Sequence, residues 1–187
     1  MASSVVHLAI TNELIKRYSF RNINRLKYGV VVVDAGYNGN SHLKINVLDG
    51  LKKTYDFDSF RQIFGKKMQE DDFYLGYYLH LVQDALYRRF VYEKYHWNPT
   101  IPGNVERLHR DYAIVNDYII KKYNLVNDLL IPENFNEEII NNLCAFDTEG
   151  FRKRMDSYFI PVEDEDIFFF TREMSDEFIG EAIDLCL

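Results

Sequence analysis

Two residues that could do chemistry, His80 and Asp84, lie four positions apart in the segment GYYLHLVQDAL, residues 76–86. If this segment is a helix, both side chains project from the same face, and Gly76, one turn earlier, leaves room beside the imidazole. The surrounding residues are almost wholly apolar, and burying a charged carboxylate is costly unless it is paired or binds a metal. The two residues are therefore either an ordinary His/Asp pair or one half of a metal site.

Three residues upstream could complete such a site. His7 lies in an apolar N-terminal segment, Asp34 directly follows four valines, and His42 follows a loop rich in glycine and asparagine. Each has an ordinary explanation on its own, as a core histidine, a turn residue and an exposed histidine. Together with His80 and Asp84 they form the mixture of imidazole and carboxylate ligands that suits zinc, with manganese or iron as further possibilities.

Such a set predicts one or two metal ions and a class of reaction. Three neutral imidazoles and two carboxylates can hold two metals when one carboxylate bridges them. Two neighbouring metals suit phosphoester hydrolysis, because they clamp the attacking and leaving oxygens and lower the pKa of water.

The elements that must position these residues are predicted to be mainly helices. The pattern of apolar residues and of proline and glycine predicts helices at about 5–18, 58–67, 71–95, 103–123, 135–146, 148–158 and 173–186. Residues 22–33 fit either a strand or a short buried helix. Asp49-Gly50 between two partly alternating segments predicts a small hairpin near residues 43–56. We therefore expect one mainly helical, all-α domain over residues 1–187.

Composition excludes several classes of partner. The chain has 29 acidic against 22 basic residues and a formal charge of −7, so no basic footprint for duplex nucleic acid or anionic lipid is present. Cys144 and Cys186 are far apart and outside any C-x-x-C pair, which predicts free thiols. No basic leader and no membrane-length apolar run appears, so we expect a cytoplasmic protein without a transmembrane segment. Within 161–172, an acidic run gives way to phenylalanines, which predicts a loop closing over the core.

The segments HLAI, VVVVDAGY, SH and LGYYLHLVQDALY resemble, in order and approximate spacing, the zinc-dependent phospholipase C family. That family has an all-α fold shared with fungal single-strand-specific zinc nucleases, and the similarity covers roughly residues 5–125. The resemblance implies that Asp34, His42, His80 and Asp84 surround one metal, while His7 joins Asp84, as a bridging carboxylate, at a second. It also implies Asp34 as general base, although a carboxylate that binds a metal is a poor base.

The chain departs from the family pattern in two places. The secreted enzymes bind metal through their mature N-terminus, whereas this chain keeps Met1 or Ala2 and shows no leader. They also build a third site from an H-x-x-x-E pattern, but here His109 is followed four residues later by Ala113. His96, His109 and Asp111 either make a different site or are ordinary surface residues, so we expect one or two metals in place of three.

The main hypothesis is a metal-dependent, phospholipase C-like hydrolase acting on a small phosphoester or a phospholipid headgroup. A phosphohydrolase of nucleotides or other small phosphoesters is an alternative, although the contiguous His-Asp pair of HD-domain enzymes is missing. A second alternative is a metal-stabilised binding or scaffold protein that has lost hydrolysis. Neither the natural substrate nor the oligomeric state can be predicted from the sequence.

Overall fold

The computed structural model describes residues 2–49, 52–163 and 165–186, and its described part is mainly helical, as predicted. The α-helices are α1 (Ser4–Arg17), α2 (Ile23–Val32), α3 (Phe57–Glu70), α4 (Asp72–Arg88), α5 (Asn104–Lys122), α6 (Thr148–Tyr158) and α7 (Arg172–Leu185). The strands are β1 (Gly36–Tyr37), β2 (Lys44–Val47), β3 (Lys52–Tyr55) and β4 (Ala145–Phe146). Short turns of 3₁₀ helix span Val33–Ala35, Phe135–Glu137 and Ile139–Asn142, and a π-helical segment spans Arg89–Lys94. No helix in these ranges combines the length and apolarity that crossing a membrane requires.

Side-chain caps start the helices that carry the candidate ligands. The Ser3 hydroxyl accepts a hydrogen bond from the Val6 N–H at the start of α1. Asn22 caps α2 and Asp71 caps α4 in the same way. These oxygens satisfy N–H groups that have no partner within the helix, so the helix starts are fixed locally.

The four consecutive valines form the end of a buried helix and the start of the turn after it. Residues 30–33 are 0% exposed and lie on α2 and the 3₁₀ turn that follows it. The alternation of apolar and polar residues cannot distinguish a buried strand from a buried helix here, because every residue of such a run is apolar. Asp34 then lies in the 3₁₀ turn at the end of this run.

Helices α2 and α4 pack with close backbone contact, and two glycines permit it. A Cβ at Gly76 would lie 2.3 Å from the Leu26 carbonyl oxygen, and one at Gly29 would lie 2.1 Å from the Phe73 carbonyl oxygen. The prediction that Gly76 leaves room for the imidazole of His80 is therefore wrong, because the space is taken by the α2 backbone. The glycine acts on the site indirectly, by setting the distance between the two helices.

The predicted hairpin is confirmed. Strands β2 and β3 pair antiparallel, with Lys44 opposite Tyr55 and Val47 opposite Lys52. Gly50, half of the predicted Asp49-Gly50 turn, lies outside the described residues. A second pairing joins β1 to β4, and it ties the loop after Asp34 to the C-terminal third of the chain.

The predicted helix over 135–146 is wrong. This segment forms two 3₁₀ turns and then strand β4, with Glu138 extended between the turns. The Glu138 carboxylate is held by Arg25 and by the Tyr74 hydroxyl at 2.6 and 2.7 Å. The Asn141 amide bonds backbone carbonyls of the same segment. The Asn141 contacts use carbonyls that would accept within a continuous helix, and the Glu138 contacts come from residues distant in sequence, so tertiary structure overrides the local pattern.

The phenylalanines of 161–172 close over the core, as predicted for a loop. Phe170 is 0% exposed, and the centre of the Phe169 ring lies 4.3 Å from the centre of the Trp97 ring. The carboxylate of Asp111 accepts hydrogen bonds from the backbone N–H groups of Phe168, Phe169 and Phe170. Asp111 thus holds this loop against α5.

Candidate metal centre

The structure brings all five candidate ligands together in one cluster. His7 comes from α1, Asp34 from the 3₁₀ turn after α2, and His42 from the loop before β2, whereas His80 and Asp84 share one face of α4. His7, His80 and Asp84 have fully buried side chains. Asp34 and His42 keep 15% and 12% of their side-chain surface exposed, so the cluster meets solvent on their side.

The histidine Nε2 atoms all face carboxylate oxygens. Asp84 Oδ1 lies 3.5 Å from the Nε2 of His7, and Asp84 Oδ2 lies 3.7 and 3.6 Å from the Nε2 atoms of His42 and His80. Asp34 Oδ1 lies 3.4 and 3.8 Å from the Nε2 atoms of His42 and His80. Asp84 therefore turns its two oxygens toward different histidines, which is the arrangement that a bridging carboxylate requires.

These contacts are not hydrogen bonds. The Nε2 atoms of His7, His42 and His80 are buried and have no hydrogen-bond partner among the residues that the structure describes. Two ligand atoms each about 2.1 Å from a tetrahedral zinc ion are separated by about 3.4 Å. The observed separations of 3.4 to 3.8 Å fit that spacing, so the cluster fits a metal better than a set of satisfied core histidines.

The opposite ring nitrogens are fixed by neighbours. The Nδ1 of His7 lies 2.7 Å from Gln83 Oε1, and the Nδ1 of His80 lies 2.7 Å from the Val30 carbonyl oxygen. The Nδ1 of His42 lies 3.0 Å from Ser41 Oγ. A carbonyl oxygen only accepts, so His80 must carry its proton on Nδ1 when it is neutral. Its Nε2 then presents a lone pair to the cluster, as in metal-binding histidines.

The two carboxylates are also held in place. Asp84 accepts hydrogen bonds from the Ala2 backbone N–H at 3.0 Å and from the Tyr55 hydroxyl at 3.2 Å. Asp34 Oδ2 accepts one from the Ser4 hydroxyl at 2.6 Å. The oxygens are thereby oriented before any ion arrives.

The cluster strongly perturbs its own protonation. Burial by itself would raise the pKa of Asp34, but His80 and His42 hold it far below its usual range. Burial opposes ionisation of Asp84 in the same way, and His7 and His80 hold its pKa well below the usual value. Burial lowers the pKa of His42, whereas at His80 the two carboxylates overcome burial and raise the pKa. The carboxylates of Asp34 and Asp84 therefore favour the protonated form of His80.

Two overlapping groups in the described chain could hold a metal ion. One consists of His7, His80 and Asp84, and the other of Asp34, His42 and His80, with the ligand atoms of each group within 4.8 Å of one another. The resemblance implies a different division, in which His80 belongs to one metal only and Asp84 is shared. In the structure His80 belongs to both groups, while Asp84 belongs to the first group and its Oδ2 lies 3.7 Å from the Nε2 of His42 in the second.

A pocket of about 490 Å³ opens beside the cluster. Asp34 is the one cluster residue that lines it, and the Arg154 guanidinium on α6 donates to the Asp34 carbonyl oxygen at 2.9 Å. Sequence reasoning missed Arg154, and it also missed Gln83 and Tyr55, which fix ligands. Gln83 alone carried a signal, as a polar residue next to Asp84 within the apolar helix.

The suggested additional site is not formed. His96 is exposed at φ 52°, His109 is exposed on α5, and Asp111 is occupied by the backbone of the phenylalanine loop. None of the three belongs to a metal-binding group within the described residues. Cys144 and Cys186 are free thiols, as predicted.

Comparison with known proteins finds no significant match to a family model, a curated protein or a solved structure. The resemblance to the zinc-dependent phospholipase C family therefore stays a prediction that depends on the order and types of the residues named above. The chemistry of the site has to be argued from its own geometry.

Proposed function

We propose that this protein is a metal-dependent phosphoester hydrolase, similar to phospholipase C, whose His/Asp cluster holds one or two ions. The observation that carries the proposal is the set of three buried Nε2 atoms without hydrogen-bond partners, all facing the carboxylates of Asp34 and Asp84. Zinc is the preferred ion because it is bound by imidazole nitrogen and carboxylate oxygen at these spacings. Manganese and iron are the alternatives.

Each residue of the cluster has a separate task in this proposal. A bound metal supplies Lewis-acid polarisation of a phosphoryl oxygen and lowers the pKa of water. The three histidines bind through Nε2, while their Nδ1 partners keep the rings in place. Asp84 would help to hold an ion in the first group, and its Oδ2 also faces the Nε2 of His42.

In this proposal Asp34 contacts the substrate. It belongs to the cluster and also lines the pocket, so a water molecule or a phosphoester in the pocket lies beside its carboxylate. We propose that it orients the attacking water through a hydrogen bond. Its role as general base stays a prediction, and the low pKa of its carboxyl makes it a weak proton acceptor.

The pocket favours a small substrate. A volume of about 490 Å³ suits a polar headgroup or a nucleotide-sized group. Small phosphoesters, phospholipid headgroups and nucleotides all remain within this class. The class requires only that the phosphorus atom reaches the Asp34 side of the cluster.

Metal content followed by turnover tests the proposal. The purified protein is reconstituted with zinc, manganese or iron(II), the bound metal is measured by mass spectrometry, and hydrolysis of an aryl phosphodiester is followed. We expect one or two ions per chain and turnover that a chelator abolishes. His42→Ala should lose metal and turnover, because it removes the Nε2 ligand of His42 from the group that consists of Asp34, His42 and His80. The matched control is His96→Asn, an exposed histidine whose positive φ asparagine tolerates.

The outcomes separate the hypotheses. Metal without turnover across a broad panel of phosphoesters would favour the metal-stabilised binding or scaffold protein, which the missing carboxylate at Ala113 also suits. Failure to bind any metal after reconstitution would refute both.

A further inference from the structure

The pocket beside the cluster has a distinctive set of walls. Helix α5 forms one wall, α6 another, and the start of the chain with the turn after α2 forms the floor. Its ten lining residues include Asp34, His109, Ala113 and Arg154. Asp34 is the one carboxylate among them, and Arg154 is the one permanent cation.

Arg154 is held at the edge of the metal cluster. Its guanidinium bonds the backbone carbonyl of Asp34, not the carboxylate, and its Cζ lies 5.3 Å from the centre of the Phe151 ring. Within the described chain, this carbonyl is the one hydrogen-bond acceptor of the guanidinium. Arginine has five N–H donors, so the rest of the fork is available to an anion in the pocket.

The opposite wall offers no competing carboxylate. His109 and Ala113 both line the pocket from α5, and Ala113 stands where the H-x-x-x-E pattern would place a glutamate. Among the residues that line the pocket, the Arg154 guanidinium is therefore the one permanent positive charge available to an anion.

We propose that Arg154 anchors the phosphoryl group of the substrate in this pocket, an inference that rests on the proposed function. A planar guanidinium matches two phosphate oxygens at once, and its bond to the Asp34 carbonyl orients it before substrate binds. The substrate class is a small phosphoester whose phosphoryl group meets Arg154, while the rest of the group lies against walls that are mainly apolar. Arg154 is thus a substrate-binding residue, and the metal is held without it.

Binding of inorganic phosphate to the metal-loaded protein tests this proposal. Isothermal titration should show Arg154→Gln weakening phosphate about 10- to 100-fold, the range for a lost charge-assisted contact. Arg154→Lys, which keeps the charge but loses the fork, should fall between. Metal content should be unchanged, and the loss in hydrolysis should appear mainly as a higher KM. The matched control is Arg152→Gln, on the same helix, whose side chain is 59% exposed and pairs with Asp156.

The result that overturns the proposal is equal phosphate affinity in Arg154→Gln and wild type, or no phosphate binding by the metal-loaded wild type. An equal loss in Arg152→Gln would also overturn it, because it would reduce the effect to general surface charge. Titration of the metal-free protein separates this proposal from the proposed function. Phosphate binding that depends on Arg154 without any metal uptake would support the anchor and refute the metal centre.

Discussion

Replacing Gly76 by alanine tests whether helix packing controls the metal site. The added Cβ would lie 2.3 Å from the Leu26 carbonyl oxygen, whereas ordinary contact begins at 3.4 Å, so α2 would have to move away by about 1 Å. The same movement would stretch the bond between His80 Nδ1 and the Val30 carbonyl oxygen from 2.7 Å to about 3.7 Å. The imidazole would then lose the acceptor that orients it.

The expected magnitude follows from three contributions. Overpacking costs about 1–3 kcal/mol, and the lost hydrogen bond costs about 1 kcal/mol. Alanine in place of glycine in a helix returns about 1 kcal/mol. We therefore expect Gly76→Ala to lower the free energy of unfolding by about 1–3 kcal/mol, or roughly 2–12 °C in Tm. Zinc affinity should fall about 10- to 100-fold, as when other outer partners of metal-binding histidines are disturbed.

Urea unfolding of the metal-free protein and zinc titration with a competing chelator measure the two effects. Gly180→Ala is the matched control, because Gly180 lies within α7 and a Cβ there meets nothing within 4 Å. It should raise the free energy of unfolding by up to about 1 kcal/mol and leave zinc affinity unchanged. If Gly76→Ala matches Gly180→Ala in stability or keeps wild-type zinc affinity, the proposed coupling between helix spacing and His80 is wrong.

Four further predictions concern the cluster and the loop held by Asp111. Gln83→Ala should weaken zinc binding about 10- to 100-fold in a competition titration, because it frees His7 Nδ1. Zinc binding near pH 7 should release protons, seen as calorimetric enthalpies that depend on the buffer, because metal displaces the proton from His80, whose pKa is raised. The contribution of His80 to metal-free stability should correspondingly fade as pH rises through that pKa. Asp111→Ala should lower stability by about 1–3 kcal/mol without changing zinc affinity, since residues 168–170 lose their acceptor.

The sequence predicts which residues are candidate metal ligands, but it does not predict the residues that hold those ligands in place. Residue type and helical spacing point to His80 and Asp84, because their chemistry conflicts with an apolar helix. The residues that contact these ligands are not marked in the same way by the sequence around them. Gln83 contacts His7 across 76 positions, and Arg154 contacts Asp34 across 120, so only the folded chain brings them together.

The two incorrect structural predictions have the same physical origin. The sequence suggests that Gly76 leaves room for the His80 imidazole, because the sequence does not show which helix packs against it. In the structure the α2 backbone fills that space. The segment 135–146 has a helical composition, but Glu138 is drawn out to Arg25 and Tyr74. In both cases a contact distant in sequence decides the local structure.

The cluster is costly for the metal-free fold, and this cost is itself an argument for a metal. Each buried polar atom without a partner costs about 1–3 kcal/mol, and three imidazole Nε2 atoms are in that state here. A core histidine that served packing alone would be satisfied by a neighbour or replaced by an apolar residue at no loss. Here each Nδ1 atom has a partner, whereas the Nε2 atoms face the carboxylates of Asp34 and Asp84 without one. Metal binding would remove that cost and would add a direct link to His42, which otherwise contacts the cluster through its ring against His80 and through long contacts to carboxylate oxygens.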